Sequence, residues 1–206
     1  MIEWHISTTP VPYLDALTIM EERVQAIQEQ VKPEMVWLLE HPSLFTVGGG
    51  VFNRNDVLDD GGLPIYPTGR GGKVTYHGPG QRIAYVMLNL KRRQPDVRAY
   101  VKQLEEWLIQ TLAYFGIKAE RRQGRVGLWV KTDDTEKKIA AIGVRLQKWV
   151  SFHGIALNVS PDLSYFTKII PCGIQEYGVT SMAELGIKPT LAEVDQALKT
   201  QFERVF

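Results

Sequence analysis

Apolar residues recur at helical spacing in three parts of the chain. In residues 12–31 and 95–115 they fall every three or four positions, which is the spacing of a helix that buries one face. Gly116 follows the second part and predicts a C-terminal cap. Near the end, Thr190 and a glutamate three positions later match a capping box, and apolar residues continue at helical spacing to Val205. We therefore predict three helices, the last of which closes the chain.

Strand patterns lie before and between these helices. Residues 2–6 alternate in character, and further short stretches rich in aliphatic and aromatic residues lie at 35–40, 83–88, 127–130, 138–144 and 150–158. The last two are expected to form a hairpin. Because the strands are grouped instead of alternating regularly with helices, the pattern favours an α+β fold with a mixed, largely antiparallel sheet and packed helices. A length of 206 residues without a repeat or linker predicts one domain over residues 1–206.

The composition removes several classes of function. A formal net charge of +1 argues against a broad basic surface for nucleic acid. The chain has no apolar run of membrane-spanning length and opens without a signal pattern, so we expect a cytoplasmic protein, a monomer, with no membrane partner. The single cysteine excludes an intramolecular disulfide and a multi-cysteine zinc site, and the four histidines show no metal-ligand spacing. We expect neither a metal nor a cofactor.

The one thiol, Cys172, lies in a sequence that predicts a tight turn. Pro171 and Gly173 flank it and discourage regular structure, which would expose both the thiol and backbone N–H groups that can stabilise an oxyanion. The alternative is a small buried side chain, the commoner state of a free cysteine. Cys172 is therefore a candidate nucleophile toward thioesters.

A nucleophilic cysteine needs a neighbour that stabilises its thiolate. Lys138 begins a small, apolar tract that ends at Val144, where an ammonium group could be partly desolvated beside the thiol. The alternative is a solvated charge at the start of a strand, which is the more common state of a Lys-Lys pair. Lys138 is thus a candidate partner of Cys172.

Residues 70–81 form a glycine-rich segment, which we expect to be a loop that leads into the strand at 83–88. Glycines let a ligand approach the backbone closely, and Arg70 and His77 offer polar groups. The segment lacks the Gly-Lys-Ser/Thr ending of a phosphate loop and does not fit the dinucleotide fingerprint. Alternatively, the glycines only form hairpin turns and His77 is a hydrogen-bonded structural residue.

Four segments in this order resemble the octanoyl-[acyl-carrier-protein]:protein N-octanoyltransferases of lipoate biosynthesis, and the resemblance spans nearly the whole chain. The segments are Glu40-His41-Pro42 leading to Thr46-Val47-Gly48, residues 70–81, residues 138–144, and His153-Gly154-Ile155-Ala156-Leu157-Asn158 followed by Pro171-Cys172-Gly173-Ile174. The resemblance implies a fold similar to the catalytic domain of the lipoate and biotin protein ligases.

The resemblance also implies the residues of the site. A catalytic Cys/Lys dyad maps onto Cys172 and Lys138, and His77 is expected to support it by orienting the dyad or the incoming amine. The residues expected to bind the acyl group are Arg70, Gly71, Gly72, Lys73, Val74, Thr75, Tyr76, His77, Ala141, Ile142, Gly143, Gly154, Ile155 and Ala156.

The implied activity is acyl transfer. The octanoyl group would pass from octanoyl-acyl carrier protein to Cys172 and then to a lysine of a lipoyl domain, either of a 2-oxoacid dehydrogenase complex or of the glycine cleavage H protein. The basic clusters 91–93 and 121–122 are candidate docking sites for the acidic carrier protein. The alternatives are an ATP-dependent lipoate or biotin-type ligase, a cysteine hydrolase that pairs Cys172 with His77 or His153, and a non-catalytic binding module.

Overall fold

The computed structural model describes residues 2–49, 56–132, 135–169 and 177–206. Within them the elements in chain order are β1 (Ile2–Ile6), α1 (Tyr13–Gln28), β2 (Glu34–Leu39), β3 (Leu44–Val47), β4 (Ile65–Pro67), β5 (Val74–His77), β6 (Gln81–Met87), α2 (Val97–Tyr114), β7 (Ala119–Arg122), β8 (Arg125–Lys131), β9 (Glu136–Gln147), β10 (Val150–Asn158), β11 (Gly178–Val179) and α3 (Leu191–Val205).

The main sheet has the order β1-β2-β6-β10-β9-β8-β7, and β11 pairs with β9 beside the end of β10. β1 with β2 and β9 with β11 are parallel pairs, whereas β2, β6, β10, β9, β8 and β7 pair antiparallel with one another. The predicted hairpin is present as β9 and β10. The predicted α+β fold with a mixed, largely antiparallel sheet is confirmed.

Helices cover both faces of this sheet because each helix has one apolar face. On one face α2 and α3 pack together, and the ring of Trp107 meets the ring of Phe202 edge-on at 5.2 Å. On the other face α1 buries Met20 and Val24 against the sheet. The capping box predicted for the last helix is present, with Thr190 at its N-cap. All three predicted helices lie within one to three residues of their expected bounds.

A second sheet, with the order β4-β3-β5, packs against a short 3₁₀ helix at Leu163–Lys168. The prediction that residues 70–81 are a loop is therefore partly wrong, because β5 lies inside this segment. Its strand pattern is short, and glycines flank it on both sides, so the glycine content masked it in the sequence. The short strands β3, β4, β7 and β11 were also not predicted, since two to four residues carry little periodic signal.

Within the described ranges, no helix combines the length and the apolar character needed to cross a bilayer. The expectation of one domain over residues 1–206 stays a prediction.

Candidate active site

A cavity lies between the hairpin β9–β10 and the segment that contains β5. Its lining comes from six separate parts of the chain: Tyr13, Thr46, Arg70, Gly72, Lys73, Val74, Thr75, His77, Ile83, Tyr85, Ala141, Ile142, Gly143, His153, Gly154, Ile155 and Ala156. Most of the residues expected to bind an acyl group are thus brought together.

Two of the expected residues lie elsewhere. Tyr76 does not line the cavity, because its ring is buried in the core of the smaller sheet and stacks on the ring of Tyr165 with centroids 4.6 Å apart. Gly71 lines a groove that adjoins the cavity. The groove shares Gly72, Lys73 and residues 141–143 with the cavity and continues to Lys138. Lys138, the cation predicted from the sequence, therefore lies in a groove that adjoins the cavity of the expected acyl-binding residues.

Small residues form the floor of the cavity. The register of the hairpin pairs Ala141 with Ala156 and Gly143 with Gly154. A Cβ atom on Gly143 would lie 2.9 Å from Cδ of Arg70, and one on Gly154 would lie 2.1 Å from the carbonyl oxygen of Ala84. The glycines are required because neighbouring chain passes too close for a side chain.

Arg70 is held over this floor by its own hydrogen bonds. One guanidinium nitrogen, Nη2, donates to the backbone oxygen of Thr46 at 2.8 Å and to its hydroxyl at 2.7 Å, while Nη1 donates to the carbonyl of Gly71 at 3.0 Å. Its side chain is buried. The guanidinium group therefore anchors residues 70–71 to β3.

His77 is fully engaged by its neighbours. Nδ1 lies 2.7 Å from Oε1 of Gln81, which can only accept, so Nδ1 carries the proton. Nε2 must then accept a hydrogen bond from the hydroxyl of Thr46 at 3.1 Å. Burial, followed by the nearby His41 and Arg70, holds the pKa of His77 well below its usual value. His77 is thus a neutral, oriented histidine, which suits a supporting role better than direct proton transfer.

The hydrogen bonds of His77 continue toward Lys138. Gln81 donates to Oδ1 of Asn158 at 3.0 Å, and Asn158 donates to the carbonyl of Thr180 at 3.0 Å. The backbone N–H of Thr180 in turn donates to the carbonyl of Lys138 at 2.9 Å. A continuous series of hydrogen bonds therefore connects the cavity to the strand that bears the lysine.

Lys138 is buried, unlike the solvated lysine of the alternative interpretation. Its Nζ atom lies 4.8 Å from the ring centroid of Trp129, within the range of a cation–π contact. Gly127 lies beside the lysine stem and has a φ of +107°, and a Cβ atom there would lie 2.6 Å from the carbonyl oxygen of Ala140, so the close approach of β8 to β9 at this point requires glycine. On its other side Lys138 pairs with Val179 of β11. The ammonium group is therefore confined beside the groove.

Cys172 lies outside the described residues, so its expected pairing with Lys138 stays a prediction. The described chain before it ends at Ile169, which bridges to Val57, and the chain after it resumes at Tyr177 and enters β11. The segment that contains Cys172 therefore leads directly to the strand that pairs with Lys138.

Two histidines that gave little signal in the sequence also lie at this site. His41 donates from Nδ1 to the carbonyl of Val11 at 2.6 Å and accepts at Nε2 from the hydroxyl of Tyr85 at 2.6 Å, and burial lowers the pKa of His41 to about 4. His153 lines the cavity, where burial, followed by Arg70 and Arg145, lowers its pKa to about 3. Both histidines are therefore neutral at physiological pH.

Sequence reasoning did not identify four lining residues as part of the site, Tyr13, Thr46, Ile83 and Tyr85, and it considered His153 only as a partner of Cys172 in the hydrolase alternative. Thr46 belongs to a segment of the family resemblance, but nothing in its spacing signalled a hydrogen bond to His77. Tyr13 stands at the first turn of an amphipathic helix, where an aromatic residue usually indicates only packing.

Metal ligands and basic clusters add little to the site. Among the described residues, no group of three or more histidine, cysteine, aspartate or glutamate side chains could hold a metal ion. Both arginines of the cluster 121–122 form ion pairs with glutamates. In the cluster 91–93, Arg93 bonds to Glu34 at 2.7 Å, while Lys91 and Arg92 are exposed. Much of the positive charge proposed for docking is therefore compensated within the chain.

The fold matches solved structures of ligases that attach cofactors to proteins. A bipartite lipoate protein ligase from Thermoplasma acidophilum superposes with a TM-score of 0.75 at 14% identity, over 100% of this chain and 84% of that one. A biotin acetyl coenzyme A carboxylase synthetase from Helicobacter pylori superposes with a TM-score of 0.56 at 10% identity, over 100% of this chain and 76% of that one. The fold therefore defines a catalytic domain of the lipoate and biotin ligase type.

Sequence comparison narrows this class. Residues 12–203 match the model of the lipoyl protein ligase A/B catalytic domain, and the chain belongs to this family. The octanoyltransferase of Paramagnetospirillum magneticum is 60% identical over 100% of this chain and 97% of its own length. That of Parvibaculum lavamentivorans is 58% identical over 99% of this chain and 92% of its own length. The resemblance to octanoyltransferases that the motifs indicated is confirmed.

Proposed function

We propose that this chain transfers an octanoyl group from octanoyl-acyl carrier protein to the lysine of a lipoyl domain, through a thioester on Cys172. The octanoyltransferase activity itself is confirmed by full-length relatives of that name at 58% and 60% identity. One observation above all supports the route through Cys172. An apolar cavity whose floor consists of small residues adjoins a groove that contains the buried Lys138.

In the first half-reaction, the Cys172 thiolate attacks the thioester carbonyl carbon of the donor. A new C–S bond forms to Cys172, the donor C–S bond breaks, and the carrier-protein thiolate leaves with a proton from the ammonium group of Lys138, which becomes a neutral amine. The ammonium group of Lys138 favours this step by stabilising the attacking thiolate. Exchange of one thioester for another needs no external energy source.

In the second half-reaction, the neutral amine of the acceptor lysine attacks the acyl-enzyme. The C–N bond forms, the C–S bond to Cys172 breaks, and the nitrogen loses one proton, for which neutral Lys138 is the acceptor. The product is an amide, which is more stable than the thioester from which it forms. The reaction therefore proceeds without ATP.

His77 acts as a positioning residue in this scheme. Thr46 and Gln81 bond to its two nitrogens and fix the ring beside the cavity. Gln81 in turn bonds to Asn158, which connects the ring to the strand of Lys138. It neither gains nor loses a proton in either half-reaction.

The partners follow from the same proposal. The donor is octanoyl-acyl carrier protein, and the acceptors are lipoyl domains of 2-oxoacid dehydrogenase complexes and the glycine cleavage H protein. A cytoplasmic, monomeric enzyme without a cofactor is consistent with transient docking of both. The ATP-dependent ligase is the weaker alternative, because ligases that share the fold are 10–16% identical whereas octanoyltransferases are 55–60% identical.

The decisive experiment is intact-protein mass spectrometry without ATP. Mixing the enzyme with octanoyl-acyl carrier protein should add one octanoyl group to Cys172, and adding a lipoyl domain should move that group to its lysine. Cys172→Ser should not turn over, whereas Ser164→Ala, at an exposed serine outside the cavity, should behave as the parent. An absolute requirement for ATP, or full turnover by Cys172→Ser, would contradict the proposal.

A further inference from the structure

The floor of the cavity changes character along the hairpin β9–β10. The pairs Ala141–Ala156 and Gly143–Gly154 are small, but the next pair on this side is Arg145 with Phe152. The guanidinium carbon of Arg145 lies 5.0 Å from the centroid of the Phe152 ring. The space above the small pairs therefore ends where bulky side chains begin.

Two further rings stand at this end of the cavity. The hydroxyl of Tyr13 lies 3.4 Å from Nε2 of His153, and both residues are buried and line the cavity. The ring of Tyr66 stacks on the ring of Tyr13 with centroids 5.2 Å apart. The tyrosine ring is therefore packed against a second ring, and with the histidine it forms a barrier at this end of the cavity.

The backbone of His153 is specialised for this position. Its φ of +59° lies in the left-handed region, which is unusual for a residue inside a strand. Consecutive residues of a regular strand point to opposite faces, yet the ring of His153 stacks on that of Phe152 at 5.1 Å. The left-handed conformation thus turns the histidine ring onto the Phe152 side of the sheet.

The contact of its Nε2 with the Tyr13 hydroxyl, at 3.4 Å, is too long to account for this costly conformation. Nδ1 of His153 is buried and has no partner within the described residues, although buried polar atoms are nearly always satisfied. Backbone strain and an unsatisfied polar atom at one residue are features that cluster at ligand-binding sites. The placement of His153 is therefore better explained by a role toward a ligand than by stability.

The length of the cavity fits one class of ligand. Ala141 lies three positions before Val144, the residue that pairs with His153, which is about 10 Å along a strand. An extended octanoyl chain has seven C–C bonds and spans about 9 Å, since three consecutive bonds of an extended chain span about 3.8 Å. A chain whose carbonyl lies in the groove at the level of Ala141 therefore ends against Tyr13 and His153.

We infer that Tyr13 and His153 form the end wall that limits the length of the acyl chain this enzyme accepts. This inference rests on the proposed function, because it assumes that the cavity holds the acyl group. Each methylene buried before the wall strengthens binding about four-fold, whereas each methylene beyond it must displace a fixed ring. The preference of the enzyme among acyl donors should therefore rise with chain length up to eight carbons and fall for longer chains.

The test compares acyl-carrier proteins of 6, 8, 10, 12 and 14 carbons as donors, with the acyl-enzyme measured by intact-protein mass spectrometry. Tyr13→Ala opens the wall, and His153→Gly removes the ring while glycine keeps the positive φ without strain. Both variants should raise the ratio of dodecanoyl to octanoyl transfer by about ten-fold or more. Tyr114→Ala, at an exposed tyrosine of α2, is the matched control and should keep the parent profile.

A second variant tests the direction of the chain. Ala156→Val narrows the floor beside Ala141, at the carbonyl end of the chain, so it should lower transfer of every length alike and keep the octanoyl preference. A shift of the preference toward shorter chains in Ala156→Val, or an octanoyl preference retained by both Tyr13→Ala and His153→Gly, would overturn the inference.

Binding of free fatty acids separates this inference from the chemistry at Cys172. Isothermal titration of the Cys172→Ser variant, with and without Tyr13→Ala, should show the same shift from octanoate to longer acids. If the parent enzyme forms no acyl-enzyme but binding shifts in this way, the Cys172 mechanism fails and the wall stands. If octanoyl-enzyme forms but neither assay shows a shift, the wall alone is refuted.

Discussion

Nδ1 of His77 donates its proton to Oε1 of Gln81 over 2.7 Å, and this single contact decides which nitrogen of the histidine is protonated. Nε2 is left as an acceptor for Thr46, whose hydroxyl also accepts from Arg70. Hydrogen bonds therefore run in one direction from Arg70 through Thr46 and His77 to Gln81. The orientation of the cavity wall depends on an amide side chain that does not line the cavity.

Removing that amide should destabilise the fold. Gln81→Leu leaves the Nδ1–H group of His77 and Oδ1 of Asn158 buried without their partner, and each unsatisfied group costs about 1–3 kcal/mol. We expect Gln81→Leu to lower the free energy of unfolding, measured in urea, several times more than Gln25→Leu does. Gln25→Leu breaks an exposed hydrogen bond to Glu29. Equal losses in the two variants would show that the buried network carries no special stability.

The two adjacent lysines of β9, buried Lys138 and half-buried Lys137, offer a matched pair for testing the thiolate partner. Lys138→Ala should slow alkylation of Cys172 by iodoacetamide at neutral pH roughly ten-fold, because the thiolate loses its cation. Lys137→Ala removes a neighbouring charge that instead pairs with Glu184 at 3.3 Å, so its rate should stay near that of the parent. If Lys138→Ala and the parent were alkylated at the same rate at every pH, the role of Lys138 would be refuted.

The buried histidines should make stability depend on pH. Burial lowers the pKa of His41 to about 4 and that of His153 to about 3, and it holds the pKa of His77 well below its usual value. Above pH 6.5 these histidines are neutral in both states, so they add no pH dependence. Below it the unfolded chain binds protons that the folded chain does not, and stability should fall by up to about 1.4 kcal/mol per pH unit for each histidine.

Urea unfolding between pH 7 and pH 4.5 measures this slope. His41→Leu should flatten it, since one proton-binding group is removed from the unfolded state. His5→Gln, which changes an exposed histidine of β1 outside this cluster, is the control and should retain the parent slope. A slope that is the same in all three proteins would exclude His41 as a contributor.

The buried ion pair between Arg82 and Asp195 connects α3 to the main sheet. Nε of Arg82 donates to Oδ1 of Asp195 at 2.6 Å, and a second bond joins Nη2 to Oδ2. Asp195→Ala should lower the free energy of unfolding by about 3–5 kcal/mol, because it leaves a buried guanidinium charge without its partner. Glu3→Ala, which breaks a more exposed pair with Arg23, should cost less than about 1 kcal/mol in the same thermal or urea unfolding assay.

Periodic elements and their type could be predicted from local spacing. The three helices, the hairpin β9–β10 and the capping box at Thr190 all extend over enough residues for a pattern of 3.6 or 2 to be recognised. β5 was missed because its four residues lie between glycines, and Tyr76 was assigned to the cavity because the motif does not say toward which side a ring points.

The sequence by itself determined the chemistry that this protein can perform, since the types and order of Arg70, His77, Lys138 and Cys172 identify an acyl-transfer family. Only the tertiary structure decided the burial, the hydrogen-bond partners and the neighbours of the side chains at the site. It buries Lys138 against Trp129, occupies both nitrogens of His77, and brings Tyr13 to His153 across 140 residues of chain. Contacts of this kind depend on strand register and on which helix covers which face, and local residue spacing does not encode either.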